Sequence, residues 1–240
     1  MDTVSLGDSE GGGAALWTDR APGRSGPKPA LSLERIADAA VAIADTEGIA
    51  AVSMQRIAAE FQYTKMALYR YVAGKDELLA LMIDRAVGAP PDLSHMTGGW
   101  RVRLEEWVRL LIDQWEAHPW LPWATMGDRV MGPNEVGCID RALGTLAGTG
   151  LDPAEQMAIV MMICGHIRNT HSVATAGTQP WSASEQRDVL TGRTDEFPAL
   201  LPLLDALESP DRGRAFGLEC LLDGVEALLA KRRRQRRRPP

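Results

Sequence analysis

Cysteine is scarce in this sequence: Cys138, Cys164 and Cys220 are the only three in 240 residues, and none has a close partner in sequence. That spacing excludes a disulfide framework and a Cys-x-x-Cys zinc site, and the three read as reduced thiols. The four histidines form no His-Glu-x-x-His or similar ligand pattern, so no metal and no cofactor are expected. Aromatic residues make up 5% of the chain and no run alternates apolar with polar residues, which argues against a sheet. The longest strongly apolar run, Met157 to Cys164, has eight residues against the ~20 a bilayer span requires, so no membrane segment is expected. The N-terminus has Asp2, Asp8 and Glu10 where a secretory signal is basic, and glycines where it is apolar; a cytoplasmic protein is expected. There is no nucleophile elbow, no phosphate-binding loop and no spaced carboxylate–histidine set, so the chain does not read as an enzyme.

What is present is charge, unevenly placed. The net charge is −6, yet seven of the 26 basic residues lie between Lys231 and Arg238, leaving a body with 19 bases against 32 acids. An acidic body does not exclude nucleic acid as a partner, because the local potential of one surface governs the contact.

Residues 1–30 are rich in Gly, Pro, Ser and charge and are expected to be a disordered arm. From Leu31 onward the periodicity is helical. Ser32 is placed to cap a helix that ends at Gly48, with Ile36, Ala39, Ala40, Ile43 and Ala44 forming one apolar stripe. A short helix follows from Ser53 to about Phe61, then a tight turn at Gln62–Tyr63. Thr64 is placed to cap a second short helix reaching Val72. A longer helix starts near Lys75 and ends at Gly88 with Pro90 and Pro91 behind it.

The second half repeats the pattern. Trp100, Leu104, Trp107, Val108, Leu111 and Trp115 form a stripe ended by Pro119; Pro133 and Asn134 open another helix, closed by Gly148 and Gly150. Asp152-Pro153-Ala154-Glu155 is a capping-box-like start to a helix over 152–176, apolar enough to be buried on more than one side. A last helix opens at Ser209-Pro210, and Ala215, Leu218, Leu222, Val225 and Leu229 follow at spacings of 3, 4, 3 and 4, a helix-packing seam.

Two short helices joined by a tight turn and braced by a third make a helix-turn-helix, although spacing alone fits an ordinary helical hairpin equally well. One helix must protrude into a major groove ~12 Å wide while its partner braces it. Ile57, Ala58, Phe61 and Leu68 supply the seam; between Thr64 and Lys75 there are three cations, Lys65, Arg70 and Lys75, and no acid. Lys65, Met66 and Arg70 are expected to face base edges, with Gln55 reaching in from the helix before. Ser53, Tyr69, Tyr71 and Lys75 are expected on phosphates, and Arg56 and Thr64 complete the DNA-binding set.

Leu33-x-x-Ile36-x-x-Ala39, Gly48, Val52-Ser53-Met54-Gln55-Arg56-Ile57-Ala58, Met66-Ala67-Leu68-Tyr69-Arg70-Tyr71-Val72 and Gly74-Lys75-Asp76-Glu77-Leu78-Leu79 occur in order. Together they strongly resemble the N-terminal domain of the TetR (tetracycline-repressor) family. His118-Pro119-Trp120-Leu121, Gly132-Pro133-Asn134 and Phe216-Gly217-Leu218-Glu219 resemble, more loosely, its all-α C-terminal domain. One departure stands out: the family's turn usually reads Leu-Gly-Val-Ser, and here it is Phe61-Gln62-Tyr63-Thr64. Glutamine in a left-handed turn position costs of order 1 kcal/mol.

The resemblance implies an all-α protein with an N-terminal three-helix DNA-binding domain over 31–88. It also implies a C-terminal helical ligand-binding and dimerisation domain over 96–230, with a basic tail over 231–240. It implies a repressor that binds a palindromic double-stranded DNA operator as a homodimer and is released by a small-molecule effector. Aromatic and methionine walls with a few polar groups describe a ligand cavity. The candidates are Trp107, Trp115, Trp120, Trp123, Met126, Met131, Met162, His166 and Asn169. Leu218, Leu222, Val225 and Leu229 are the expected dimer interface, pairing two helices with their symmetry mates. The basic tail is expected to be disordered, with at most an accessory role on phosphates. A transcriptional activator, or a helical protein that sequesters a small molecule, would share much of this pattern.

Overall fold

The computed structural model describes residues 16–17, 31–174, 184–193, 196–198 and 210–236; most of the expected N-terminal arm and the end of the basic tail lie outside them. Among the described residues the regular structure is helical throughout. The chain divides into two compact units, residues 1–97 with 105–142 and residues 98–104 with 143–240.

In the first unit, α1 (Leu33–Glu47) starts where Ser32 Oγ accepts a hydrogen bond from the Arg35 N–H and ends at Gly48, whose φ of 87° suits glycine. A 3-10 turn (Ile49–Ala51) leads to α2 (Met54–Glu60), capped by Ser53. Next come α3 (Lys65–Leu68) and α4 (Lys75–Val87), closed by Gly88 at φ 69°. Of the expected α1 stripe, Ala39 is half-buried, and Ile36, Ala40, Ile43 and Ala44 are buried in a core with Ile57, Leu68, Leu78, Met82 and Ile83. The arginine of the Arg85–Asp38 ion pair adds a polar clamp between α4 and α1.

One boundary differs from expectation. The helix after Thr64 ends at Leu68, not Val72, and residues 69–71 form a turn. The Leu68 carbonyl accepts from both the Tyr71 N–H (2.8 Å) and the Val72 N–H (3.0 Å), closing the helix so that Val72 drops into the core. Two tyrosines and a valine lose rotamer freedom in a helix, which weakens the case for extending it.

α5 (Trp100–Ala117) carries the tryptophan stripe; α6 (Leu121–Ala124) and α7 (Pro133–Thr145) follow. Trp107, Val108, Trp115, Trp120 and Leu121 are buried, and the Trp107 indole donates to the Cys138 carbonyl at 2.8 Å, tying α5 to α7. Trp17, from the arm, donates its indole N–H to the Met131 carbonyl.

In the second unit, α8 (Pro153–Ala174) begins with a true capping box: Glu155 N–H donates to Asp152, and Asp152 N–H donates back to Glu155. α9 (Ser184–Thr191) and α10 (Pro210–Arg236) complete it. α8 is not buried all round within one protomer. Ile159, Val160, Ile163 and Ile167 face inward, while Met157, Met161 and Met162 are exposed. The basic tail continues α10 as helix as far as Arg236, contrary to the expectation of disorder, because Arg232 is anchored on Glu155 and cations at a helix C-terminus oppose its dipole favourably.

Candidate functional site

The DNA-reading unit is built on a turn. Gln62 has φ 58°, the sole positive-φ residue other than glycine among those described. The Gln62 N–H donates to the Ala59 carbonyl (3.1 Å) and the Tyr63 N–H to the Ala58 carbonyl (3.0 Å), the two bonds of a Schellman closure. The residue that departs from the family's glycine therefore occupies the left-handed position itself. Phe61 and the Arg35 guanidinium, 5.2 Å from its ring centroid, pin the turn to α1.

Beyond that turn, α3 and its trailing turn present Lys65, Met66, Tyr69, Arg70 and Tyr71 to solvent, with Gln55 exposed on α2 and Thr64 and Lys75 exposed at the helix starts. Met66 is 65% exposed. Two members of the expected set have partners within the protomer. Arg56 is engaged by Glu47 (2.7 Å) and Glu60, which hold its guanidinium firmly charged and draw the Glu47 carboxyl down. It therefore braces α2 against α1. Ser53 Oγ caps α2, accepting from the Arg56 N–H at 3.1 Å, and keeps its hydroxyl proton to donate.

A cavity of about 120 Å³ lies in the same unit, against α5. Of the nine expected ligand residues, Trp107 and Trp115 line it. Trp120 is buried beside it but donates to Asp45; Trp123 and Met126 are exposed, and Met131 is half-buried. Met162, His166 and Asn169 belong to the other unit, where His166 Nε2 bonds the Arg214 carbonyl at 2.9 Å. Leu110, Leu111 and Gln114 complete the α5 wall, with Leu121, Cys138 and the segment around Val87 and Pro91 opposite. The missed α5 residues had a signal: positions 107, 110, 111, 114 and 115 recur at one helical face. Burial pushes the Cys138 thiol up to about 11, so it stays protonated.

The expected dimer residues also separate. Leu222 and Leu229 are buried within the protomer, Leu218 and Val225 are half-buried, and Val225 joins Ile159, Met162, Ile163 and Leu221 around a small crevice between α8 and α10. The open apolar residues on these helices are Met157, Met161, Met162, Phe216 and Leu228. Among the described residues no helix is long and apolar enough to cross a membrane.

A braced helix-turn-helix displaying cations and tyrosines, together with a tryptophan-walled cavity, defines the class of ligand-binding helix-turn-helix regulators. Comparison with known proteins gives the family. Residues 36–82 match "Bacterial regulatory proteins, tetR family" and residues 91–229 match "Tetracyclin repressor-like, C-terminal domain". The chain is 36% identical to the HTH-type transcriptional repressor DrrR1 of Streptomyces coeruleorubidus, over 91% of this chain and 86% of that one. It is 28% identical to the TetR family protein ActR of Streptomyces coelicolor in complex with actinorhodin, at a TM-score of 0.68, covering 82% of this chain and 96% of that one. A possible TetR family transcriptional regulator of the same organism is 26% identical at a TM-score of 0.70, covering 82% and 100%. The chain belongs to the TetR family: it is a transcriptional repressor with a DNA-binding and a ligand-binding domain.

Proposed function

We propose that this repressor binds a palindromic operator as a homodimer and leaves it when a small hydrophobic or aromatic effector enters the α5 cavity. The observation that carries the reading is the acid-free segment from Thr64 to Lys75, which exposes Lys65, Met66, Tyr69, Arg70 and Tyr71 on a chain of net charge −6. Lys65 and Arg70 suit guanine edges, Met66 suits a thymine methyl, and the tyrosine hydroxyls suit phosphate oxygens. The open methionine and phenylalanine face of α8 and α10 supports self-association, and two-fold symmetry with recognition helices ~34 Å apart implies a palindrome.

For the effector, the two tryptophans, the leucines and Gln114 offer flat apolar walls with one amide to orient a polar edge. A cavity of about 120 Å³ is near the size that admits a single aromatic ring, so a larger effector requires the walls to move apart. Actinorhodin, bound by the relative ActR, is the first compound to try. The experiment is footprinting on the DNA upstream of the protein's own gene, with salt titrated and compounds added. Protection of two half-sites that disappears with an effector supports the reading. Weak binding without sequence preference, lost at moderate salt, overturns it.

A further inference from the structure

We propose that Asp45 is the positioning residue through which occupancy of the α5 cavity reaches the helices that read DNA; the inference rests on the proposed control of operator binding by that cavity. Asp45 lies in the last turn of α1, and its carboxylate collects two donors from the corner between α5 and α6. The Trp120 indole N–H donates to Oδ1 at 2.7 Å, and His118 Nδ1 stands 2.9 Å from Oδ1 and 3.1 Å from Oδ2. The His118 and Asp45 side chains are 20% and 26% exposed, which shields these bonds from water more than an open surface pair.

The same corner forms part of the cavity. Trp115, three residues before His118, and Leu121, directly after Trp120, both line it. Between them the chain is stiff: the His118 N–H donates to the Gln114 carbonyl (3.0 Å) and the Leu121 N–H to the His118 carbonyl (2.8 Å), with Pro119 fixing φ in between. An occupant that displaces Trp115 or Leu121 therefore carries His118 and Trp120 with it. On the far side of Asp45 the path is equally short. Glu47, two residues on, holds Arg56 of α2, and Arg56 in turn holds Glu60 next to the turn that sets α3. Asp45 thus ties the corner that lines the cavity to α1, the helix that braces the DNA-reading pair. Breaking its two bonds gives this junction a second state.

The test fills the cavity without needing the natural effector. Leu111→Trp places an indole in the space, with Leu110→Trp as a substitute if the first variant does not fold. On the footprinted operator the filled protein should bind about tenfold more weakly than the parent, within the usual range of coupling between sites. Combined with Asp45→Leu, or with Trp120→Phe, which removes the indole N–H together with part of the ring, filling should no longer change operator affinity. Asp45→Asn, whose amide oxygen still accepts from Trp120, should restore the response. Hydrogen exchange of the amides at residues 44–60, measured without DNA, provides an independent readout. Filling should speed exchange there in the parent and have no further effect in Asp45→Leu.

If filling weakens operator binding equally with and without Asp45, the latch is wrong while cavity control stands. Should a folded, filled protein bind the operator as the parent does, cavity control fails and the latch with it. Failure to find any operator overturns the DNA reading, and the exchange data then decide whether Asp45 couples that corner to α1.

Discussion

Asp84 and Asn134 exchange hydrogen bonds with each other's backbones: Asp84 Oδ1 accepts from the Asn134 N–H at 2.8 Å, and Asn134 Nδ2 donates to the Asp84 carbonyl at 3.1 Å. Asp84 is in the last turns of α4, which follows the recognition segment, and Asn134 opens α7. The aspartate also accepts from the Glu135 N–H, so a side chain of one helix serves as the N-terminal cap of another. Burial drives the Asp84 carboxyl up while these two amides pull it down.

That interlock gives the first prediction. Asp84→Ala should lower stability by about 2 kcal/mol, since it leaves two amides of α7 without their acceptor. Gly132→Ala should be harmful at the same place, because a Cβ there would lie 2.2 Å from Asp84 Oδ1. Urea unfolding of both variants checks this, and an unchanged midpoint for Asp84→Ala would remove the cap from the account.

Gln62→Gly should stabilise the protein by about 0.5–1 kcal/mol. A glutamine at φ 58° carries the left-handed penalty, and glycine recovers it at some cost in chain entropy. Thermal unfolding decides the sign, and a loss of stability would mean that the Gln62 side chain makes up for its backbone.

Arg70→Ala should cost ~1–3 kcal/mol on the operator and relax preference at one base pair. Equal losses on operator and random DNA would assign Arg70 to phosphate. Arg56→Ala should act differently, lowering stability more than sequence preference, because Glu47 and Glu60 hold that guanidinium.

Met161→Glu with Phe216→Glu should give folded monomers in sedimentation, as both side chains stand open on the protomer, Phe216 at 68% exposure. Leu222→Glu should instead unfold the second unit, since Leu222 is already buried inside it. A double variant that remains dimeric would place the interface elsewhere.

The pair of Glu155 and Arg232 sets a pH dependence. Arg232 and the Asp152 N–H hold the Glu155 carboxyl at about 2, below its ordinary 4.5. A depressed acid stabilises the fold above its ordinary value. The contribution is thus full above pH 4.5 and is lost as pH falls toward 2. Arg232→Gln should lower the melting temperature at pH 6 and converge on the parent in strong acid. A difference that persists at low pH would mean that the arginine acts through packing alone.

Much of this protein is legible in its sequence. Ser32, Ser53 and Asp152 mark helix starts because a short oxygen side chain can accept from the first free amides, and each caps the helix it precedes, whereas Thr64, expected to do the same, stands before α3 without a side-chain cap bond. Gly48 and Gly88 mark ends for the equally local reason that left-handed closures favour glycine. Gln62 is recognisable as a strained turn residue by the resemblance, since the family's usual turn has glycine there.

The assignment of residues to sites was less local. Periodicity identifies an apolar face but not what covers it, so Leu222 and Leu229 read as interface although both are already buried within the protomer. Composition groups Trp115, Trp120 and Trp123, yet the first lines a cavity, the second serves a carboxylate on α1 and the third faces solvent. Local sequence determined the helices, their caps and the DNA-reading turn, because those interactions span a few residues. Which side chains are spent on one another, as Asp45 on Trp120 across 75 positions and Arg56 on Glu47, only the tertiary structure decided. Pairings at such separations depend on where whole helices pack, and no short stretch of chain encodes that.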